Sequence, residues 1–150
     1  MENKFNLTRE QNVFVAKRNI VDYIWKSANL EGIGVTYSET QAIYDGGIVN
    51  GLTVDNIIAI NNLKYAWQFI LENDEIDYDF KVLCHLHKLI CDKLVLDNDL
   101  GKLRSTPVNI GGTTWKPQFP IESQIKEELE ILLIQTDKTK TEIAIEVMLW

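Results

Sequence analysis

Residues 27–32 read Ser27-Ala28-Asn29-Leu30-Glu31-Gly32, and they lie where the first long helical pattern of the chain runs out. Gly32, like Gly34 after it, readily takes the left-handed backbone that stops a helix. Glu31 is the last charge before that stop, and a carboxylate there faces the negative end of the helix macrodipole. We therefore predict a helix end at this stretch, and the unfavourable placement of Glu31 indicates a cationic partner elsewhere.

The composition is that of one soluble globular domain. The chain has 150 residues, of which 45% are hydrophobic and 25% are charged, which suffices for a single core. The net charge of -7 argues against a nucleic acid or an anionic membrane as the main partner, because phosphate binding needs clustered Lys and Arg. It leaves room for a small nucleotide held by backbone N–H groups.

The location of the protein is predicted from its apolar runs and its cysteines. No apolar run approaches the roughly 20 residues that cross a bilayer, so no membrane partner is expected. The N-terminus lacks the core of a signal peptide. Cys84 and Cys91 are therefore expected to be free thiols in a reducing cytoplasm.

Caps and apolar spacing predict a mainly α-helical domain. Capping boxes open the first helix at Thr8 with Gln11 and the second at Thr36 with Glu39. The first helix is expected to run directly into residues 27–31, and the second to stop at Gly46-Gly47. Four further helices are predicted: Thr53 to about Glu72, about 80–96 after Asp77 or Asp79, about 121–135, and one that opens at Thr139 or Thr141.

Five of the six predicted helices, all but the second, have an apolar face at helical spacing, which predicts the residues of the core. The expected inward residues are Val13, Ala16, Ile20, Tyr23 and Ile24; Ile57, Ile58, Ile60, Lys64, Ala66, Trp67, Ile70 and Leu71; Leu83, Leu86, His87, Ile90 and Leu94; and Ile125, Leu129, Leu132 and Leu133. The pattern Ile143, Val147, Trp150 stops with the chain. A helix cut there would expose an apolar stripe, so we expect self-association into a homo-oligomer.

Residues 97–120 differ in composition from the helical part and contain all three prolines of the chain. Val108-Asn109-Ile110 and Thr113-Thr114-Trp115 have strand character on either side of Gly111-Gly112, which predicts a β-hairpin. Because two strands alone are marginally stable, we interpret this hairpin as a surface feature with a function. Trp115 either contacts a partner or pins the hairpin to the helices.

Four candidate metal ligands, Cys84, His85, His87 and Cys91, lie close together in the sequence. Structural zinc takes four ligands, usually as two separated pairs, and the sequence offers no second pair. The better interpretation is that the cysteines are small apolar residues and that His87 is a core histidine bonded to a backbone group. The sequence has no phosphate-binding loop, dinucleotide fingerprint or nucleophile elbow.

Several segments match the pattern of one family in order. The first is Ser27-x-x-x-Glu31-Gly32, of the form S/T-x-x-x-E-G/N. The others are Val35-Thr36-Tyr37-Ser38-Glu39-Thr40, Asn61 with Ala66, Leu86-His87-Lys88, Gly101-Lys102-Leu103-Arg104, and Val108-Asn109-Ile110-Gly111-Gly112-Thr113, followed by Pro117 and Pro120. Over about residues 20–135 the chain resembles the Fic proteins, which transfer AMP or a related group from a nucleotide to a protein hydroxyl.

The resemblance implies a Fic-like helical bundle with the hairpin as its flap. The flap is implied to bind a segment of the target protein as an added strand, through Ile110, Gly111, Gly112, Thr113, Thr114 and Trp115. Residues of about 8–32 are implied to form an inhibitory helix, and 36–150 a partial catalytic core. Ser27, Glu31 and Gly32 are the implied inhibitory motif, in which Glu31 binds an arginine that otherwise holds the nucleotide γ-phosphate.

The chain departs from the family at the catalytic motif H-x-F-x-D/E-G-N, whose histidine is the general base and whose acid binds Mg²⁺. No such string occurs in residues 1–150, and neither His85 nor His87 is followed by the required residues. We therefore expect a single domain fragment that stops shortly before the motif and is inactive alone. ATP and Mg²⁺ are implied for the complete protein and not for this fragment. The alternative is a non-enzymatic helical module that binds a partner through the hairpin edge.

Overall fold

A computed structural model describes residues 6–73, 75–119 and 121–134, together with Thr139 and Glu142. In this part of the chain there are six α-helices and no strand, which confirms the mainly α class. The helices are α1 (Arg9–Arg18), α2 (Ile20–Leu30), α3 (Tyr37–Tyr44), α4 (Val54–Glu72), α5 (Phe80–Cys91) and α6 (Glu122–Leu133).

The predicted helix starts are confirmed, because local hydrogen bonds suffice to set them. Thr8 and Thr36 form reciprocal capping boxes with Gln11 and Glu39, three residues further on. Thr53 caps α4 by accepting a hydrogen bond from the N–H of residue 56. Of the two candidates for the start of α5, Asp79 is the cap, and its Oδ1 accepts from the N–H of Val82 at 2.8 Å.

The first predicted helix is in fact two, separated at Asn19. Asn19 departs from helical backbone at φ −105° and ψ 11°, and its Nδ2 donates to the carbonyl of Val15 at 2.8 Å. A side chain that bonds the preceding turn in this way competes with helix continuation. The break lets α2 turn its apolar face into the core, whereas α1 has no buried residue.

The core lies between α2, α3 and α4, and the segment 33–35 closes one side of it. Its fully buried members include Ile24 and Ile60, and such burial contributes about 1.5–3 kcal/mol for each side chain. The buried residues are Ile20, Val21, Ile24, Ala28, Ile33, Val35, Ile43, Ile60 and Leu71. Val21 is buried, although Tyr23 was the residue predicted to face inward. The Tyr23 ring lies against the Trp67 ring, with 5.1 Å between centroids.

The predicted length and buried face of α5 are wrong. The helix ends at Cys91 instead of about residue 96, because Asp92 is extended at φ −53° and ψ 128° and Lys93 has φ 60°. None of its residues is buried. Leu86 is half-buried, but the other four predicted members of the stripe are exposed: Leu83, His87, Ile90 and Leu94. The reason is that α5 rests on α4 along one side, and no other described helix covers the opposite side.

Asn62 of α4 holds the end of α5. This residue is 4% exposed, and its Nδ2 donates to the carbonyls of Ile90 at 3.1 Å and Asp92 at 2.7 Å. The last carbonyls of a helix have no partner within the helix, so a neighbouring amide that binds them defines where the helix stops. The end of α5 is therefore set by a residue 28 positions earlier in the chain.

Residues 97–119 form irregular backbone with turns at 97–101 and at 111–112. The predicted turn is present at Gly111-Gly112, with φ +80° at Gly112, but its two arms do not pair as strands. Val108 and Ile110 are 42% and 47% exposed, so neither arm has an apolar face to pack against. Two strands without such support are marginal, which accounts for the absence of a ladder between them.

The C-terminal helices agree with the predictions as far as they are described. In α6, Leu129 is buried and Ile125 and Leu132 are half-buried, whereas the side chain of Leu133 lies outside the described residues. The Thr139 hydroxyl accepts from the N–H of Glu142 at 3.3 Å, the bond expected of a helix cap. Ile143, Val147 and Trp150 lie outside the described residues. None of the described helices combines the length and the apolar character needed to cross a membrane.

The first prediction concerns Asn62. Replacing it with alanine leaves two carbonyls at the end of α5 without their donor, so Asn62→Ala should lower the free energy of unfolding by about 1–3 kcal/mol. Urea denaturation followed by circular dichroism measures this. Asn61→Ala is the matched control, because the Asn61 amide bonds Ile57 within its own helix and its loss should cost at most about 0.5 kcal/mol. Equal losses in the two variants would contradict the role given to Asn62.

Candidate functional site

The end of α2 is closed by a complete Schellman motif. The N–H of Ile33 donates to the carbonyl of Ala28 at 2.9 Å, and the N–H of Gly32 donates to that of Asn29 at 3.1 Å. Gly32 takes the left-handed φ of +80° that this motif requires. Ala28 and Ile33, at the ends of the longer bond, are both in the core. The predicted helix stop is therefore confirmed, and it is anchored by buried apolar contacts.

A second set of bonds ties the same helix end to the segment after it. The carbonyl of Val35 accepts from the indole N–H of Trp25 at 2.9 Å and from the Asn29 side chain at 3.0 Å. Val35 itself is 3% exposed. The backbone of residues 27–35 is therefore held on both sides, and it presents the Glu31 side chain at a fixed place on the surface.

Glu31 is exposed and has no cation beside it in the described part of the chain. Its backbone N–H donates to the carbonyl of Ser27 at 3.1 Å, which places the two motif residues on the last turn of α2. No Lys or Arg nitrogen of the described residues lies within 4.0 Å of the Glu31 carboxylate. Burial, and after it the charge of the Glu31 carboxylate, raise the pKa of the Cys91 thiol at the end of α5.

A second joint connects α5 to the base of the predicted flap. The N–H of Gly101 donates to Nδ1 of His87 at 3.0 Å, so His87 does bond a backbone group, although it is exposed and not a core residue. Gly101 has φ +66°, and a Cβ added there would meet the carbonyl oxygen of Cys84 at 2.9 Å. Glycine is required at this position both by the backbone angle and by the close approach to α5.

Arg104 joins the two ends of the flap segment. Its guanidinium Nη2 donates to the carbonyl of Gln118, 14 residues further on. Between these two residues lie the predicted target-binding residues Ile110–Trp115, all of them exposed. Trp115 is 62% exposed. This exposure favours the interpretation that Trp115 contacts a partner, and not the alternative that it packs the hairpin against the helices. The bonds at His87, Gly101 and Arg104 thus hold the two ends of this segment. From local sequence, only the bond of His87 to a backbone group was predicted.

A cleft of about 460 Å³ lies next to Gly101 and Arg104. Its walls are the first turns of α5, the loop after Gly101, and the start of α6. Phe80, Cys84, Lys102, Arg104, Phe119 and Glu122 line it. Lys126 of α6 lies over the Phe80 ring at 5.0 Å, which brings α6 close to the start of α5. Local motifs do not reveal this cleft, because its residues come from three separate segments.

The structure does not bring the two predicted sites together. Glu31 lies near Cys91 at the end of α5, whereas the cleft and the flap base lie along its first half, at Cys84 and His87. Cys84 and Cys91 are seven residues apart, which is about 10 Å along the helix. The helix α5 is therefore the element that relates the predicted inhibitory motif to the predicted flap.

The described residues do not form a metal site. No group of three or more His, Cys, Asp or Glu side chains in this part of the chain is placed to hold an ion. His85 instead packs on the ring of Phe69 at 4.6 Å, and burial raises the pKa of both cysteine thiols.

Comparison of the chain with protein-family models, with curated proteins and with solved structures gives no match. The function is therefore inferred from the motifs of the chain and from the geometry at Glu31 and at the flap base.

The second prediction tests the joint at Gly101. Gly101→Ala combines a strained φ with a clash against the Cys84 carbonyl, so it should destabilise the fold by about 1–3 kcal/mol. Gly111→Ala is the control, because a Cβ there meets nothing within 4 Å and the backbone is not left-handed. Its effect should stay within about 0.5 kcal/mol in the same urea titration. A tolerated Gly101→Ala would refute the close approach of the loop to α5.

The third prediction tests the placement of Glu31 beside Cys91. Glu31→Gln removes a negative charge that disfavours the thiolate, so Cys91 should react faster with iodoacetamide at a fixed pH slightly below the usual thiol pKa. Cys84 should be unaffected by this change. The reciprocal control is Glu122→Gln, which should speed the alkylation of Cys84 and leave that of Cys91 unchanged. Burial is the largest cause of the raised pKa of the Cys84 thiol, and the charge of Glu122 is the next largest. Mass spectrometry of the labelled peptides separates the two rates.

Proposed function

We propose that this chain is the N-terminal part of a Fic-type protein adenylyltransferase, which transfers AMP from ATP to a hydroxyl of a target protein. The observation that supports this most strongly is the state of Glu31. A helix end closed by a Schellman motif holds its carboxylate exposed, with no cation from the described residues within 4.0 Å. A fixed carboxylate at the unfavourable end of a helix dipole suits a residue whose partner lies in another segment.

In this proposal Glu31 is the inhibitory residue. Its partner is an arginine of the catalytic segment that follows Trp150, and the pair keeps that arginine from the nucleotide γ-phosphate. Ser27 and Gly32 position Glu31, one through the last helical turn and the other through the left-handed stop. ATP and Mg²⁺ are held by the catalytic segment, and this fragment binds neither.

The flap assignment is supported by the joint at the base of the segment. His87, Gly101 and Arg104, three residues of the matching pattern, hold the two ends of residues 105–118 in place. In the exposed arms around Gly111-Gly112, the N–H of Trp115 bonds the Thr113 hydroxyl, and no backbone-to-backbone bond joins the arms to other described residues. We propose that they pair as a hairpin when a target segment adds a further strand, since three strands are stable where two are marginal.

The alternative function is a non-enzymatic helical module that binds a partner through the same edge. It is favoured by the exposed apolar side chains of the segment, which include Trp115 and Phe119 at 62% and 53% exposure. The coding sequence beyond Trp150 separates the two functions. A continuation into H-x-F-x-D/E-G-N favours the enzyme, and a stop codon favours the module.

The fourth prediction is an activity test with ATP labelled on the α-phosphate. Residues 1–150 alone should transfer no label to any protein, because they contain no catalytic motif. The chain extended to the end of its coding sequence should transfer label at a low rate, and Glu31→Gly should raise that rate by about tenfold or more. The expected gain corresponds to about 1.4 kcal/mol of lost inhibition.

The control for this test is Glu75→Gly, which removes an exposed carboxylate of a loop outside the motif and should leave the rate unchanged. Transfer of label by residues 1–150, or equal rates for the Glu31 and Glu75 variants of the extended chain, would contradict the proposed function.

A further inference from the structure

The cleft beside α5 combines apolar walls with positive charge. Phe80 and Phe119 supply two aromatic rings, and Phe119 is 53% exposed. Cys84 adds a neutral wall, because burial raises the pKa of its thiol. Lys102 and Arg104 line the same space, together with the small hydroxyl side chain of Ser105. Such a mixture suits a ligand that is both apolar and anionic.

The positive charge is unusual for this chain. Residues 100–119 contain Lys102, Arg104 and Lys116 and no Asp or Glu, although the net charge of the protein is -7. Glu122 is itself part of the lining, Asp79 acts on the Cys84 thiol, and Asp99 directly precedes the loop. Glu122 pairs with Lys126 at 2.5 Å, and Asp79 accepts from the N–H of Val82 at 2.8 Å. In the described part of the chain neither Lys102 nor Arg104 forms a salt bridge with an acidic side chain.

Arg104 has donors to spare. Its Nη2 bonds the carbonyl of Gln118, but its Nε is enclosed by protein and has no acceptor among the described residues. An enclosed N–H group normally has an acceptor, and each exception calls for one. Because Nε is enclosed, a ligand in the cleft meets the outer part of the guanidinium, and a carboxylate is the acceptor that suits this group best.

We propose that this cleft binds an acidic peptide segment of a partner protein. A carboxylate of the segment contacts Lys102 and Arg104, and a neighbouring apolar side chain inserts between Phe80 and Phe119. A nucleic acid is disfavoured as the occupant because the rest of the surface is acidic and repels a polyanion. Peptide binding to the cleft does not depend on the proposed transferase activity, because it is measured on residues 1–150 alone.

The fifth prediction uses three labelled peptides of equal length. The first has a Phe flanked by Asp and Glu, the second replaces the acids with Asn and Gln, and the third replaces the Phe with Ala. Fluorescence anisotropy at low ionic strength should show the first binding about tenfold more tightly than either of the others. Bound peptide should also slow the alkylation of Cys84, which lines the cleft, and leave that of Cys91 unchanged.

Two variants assign the binding to this cleft. Lys102→Glu, at an exposed position, should weaken the acidic peptide by about tenfold, whereas Lys17→Glu on α1 makes the same change in net charge and should alter it by about twofold at most. Phe119→Ala should weaken the Phe peptide and not the Ala peptide. Circular dichroism confirms that each variant is folded.

Three results would overturn the proposal. One is equal affinity for the acidic and the amide peptides. The second is an equal effect of Lys102→Glu and Lys17→Glu. The third is tighter binding of a single-stranded oligothymidylate with the same dependence on Lys102, which would assign the cleft to a nucleic acid. Failure of AMP transfer in the extended chain has no bearing on any of these three measurements.

Discussion

The buried amide of Asn62 is the interaction on which the C-terminal half of the structure depends. It binds the carbonyls of Ile90 and Asp92 and so fastens the end of α5 to α4, which also packs against α1, α2 and α3. Because α5 has no fully buried residue of its own, this polar contact adds to the packing of its half-buried side on α4. The flap base and the cleft are both built on α5, so they take their position from α4 through this contact.

A second constraint, the Schellman closure of α2, gives the other candidate site its character. Most helix ends fray, but this one is held by the buried pair Ala28 and Ile33 and by the bonds to the Val35 carbonyl. A residue at such an end has its backbone, though not its exposed side chain, held in one place. Because its backbone is held, Glu31 is already placed to bind a group of another segment. This applies to the proposed catalytic segment and to any other.

Prediction from sequence succeeded where the structure is decided within a few residues. The caps at Thr8, Thr36 and Thr53, the stop at Gly32 and the turn at Gly111-Gly112 all depend on bonds or backbone angles that neighbouring residues supply. It failed at Asn19, where a side chain competes with the helix, and along α5, where apolar periodicity suggested a buried stripe that no described neighbour covers. The cleft was missed, although the run of three cations without an acid in residues 100–119 was a signal that charge counting could have found.

The sequence by itself determined the helical class, most of the helix starts and the position of Glu31 at a helix end, because these depend on capping bonds, apolar spacing and glycine geometry over short distances. Only the tertiary structure decided where α5 ends, which residues stand beside Glu31, and that Phe80, Lys102 and Phe119 share one cleft. Those features join residues that lie far apart along the chain. Such contacts form when helices pack, and no local pattern encodes which side chains then meet.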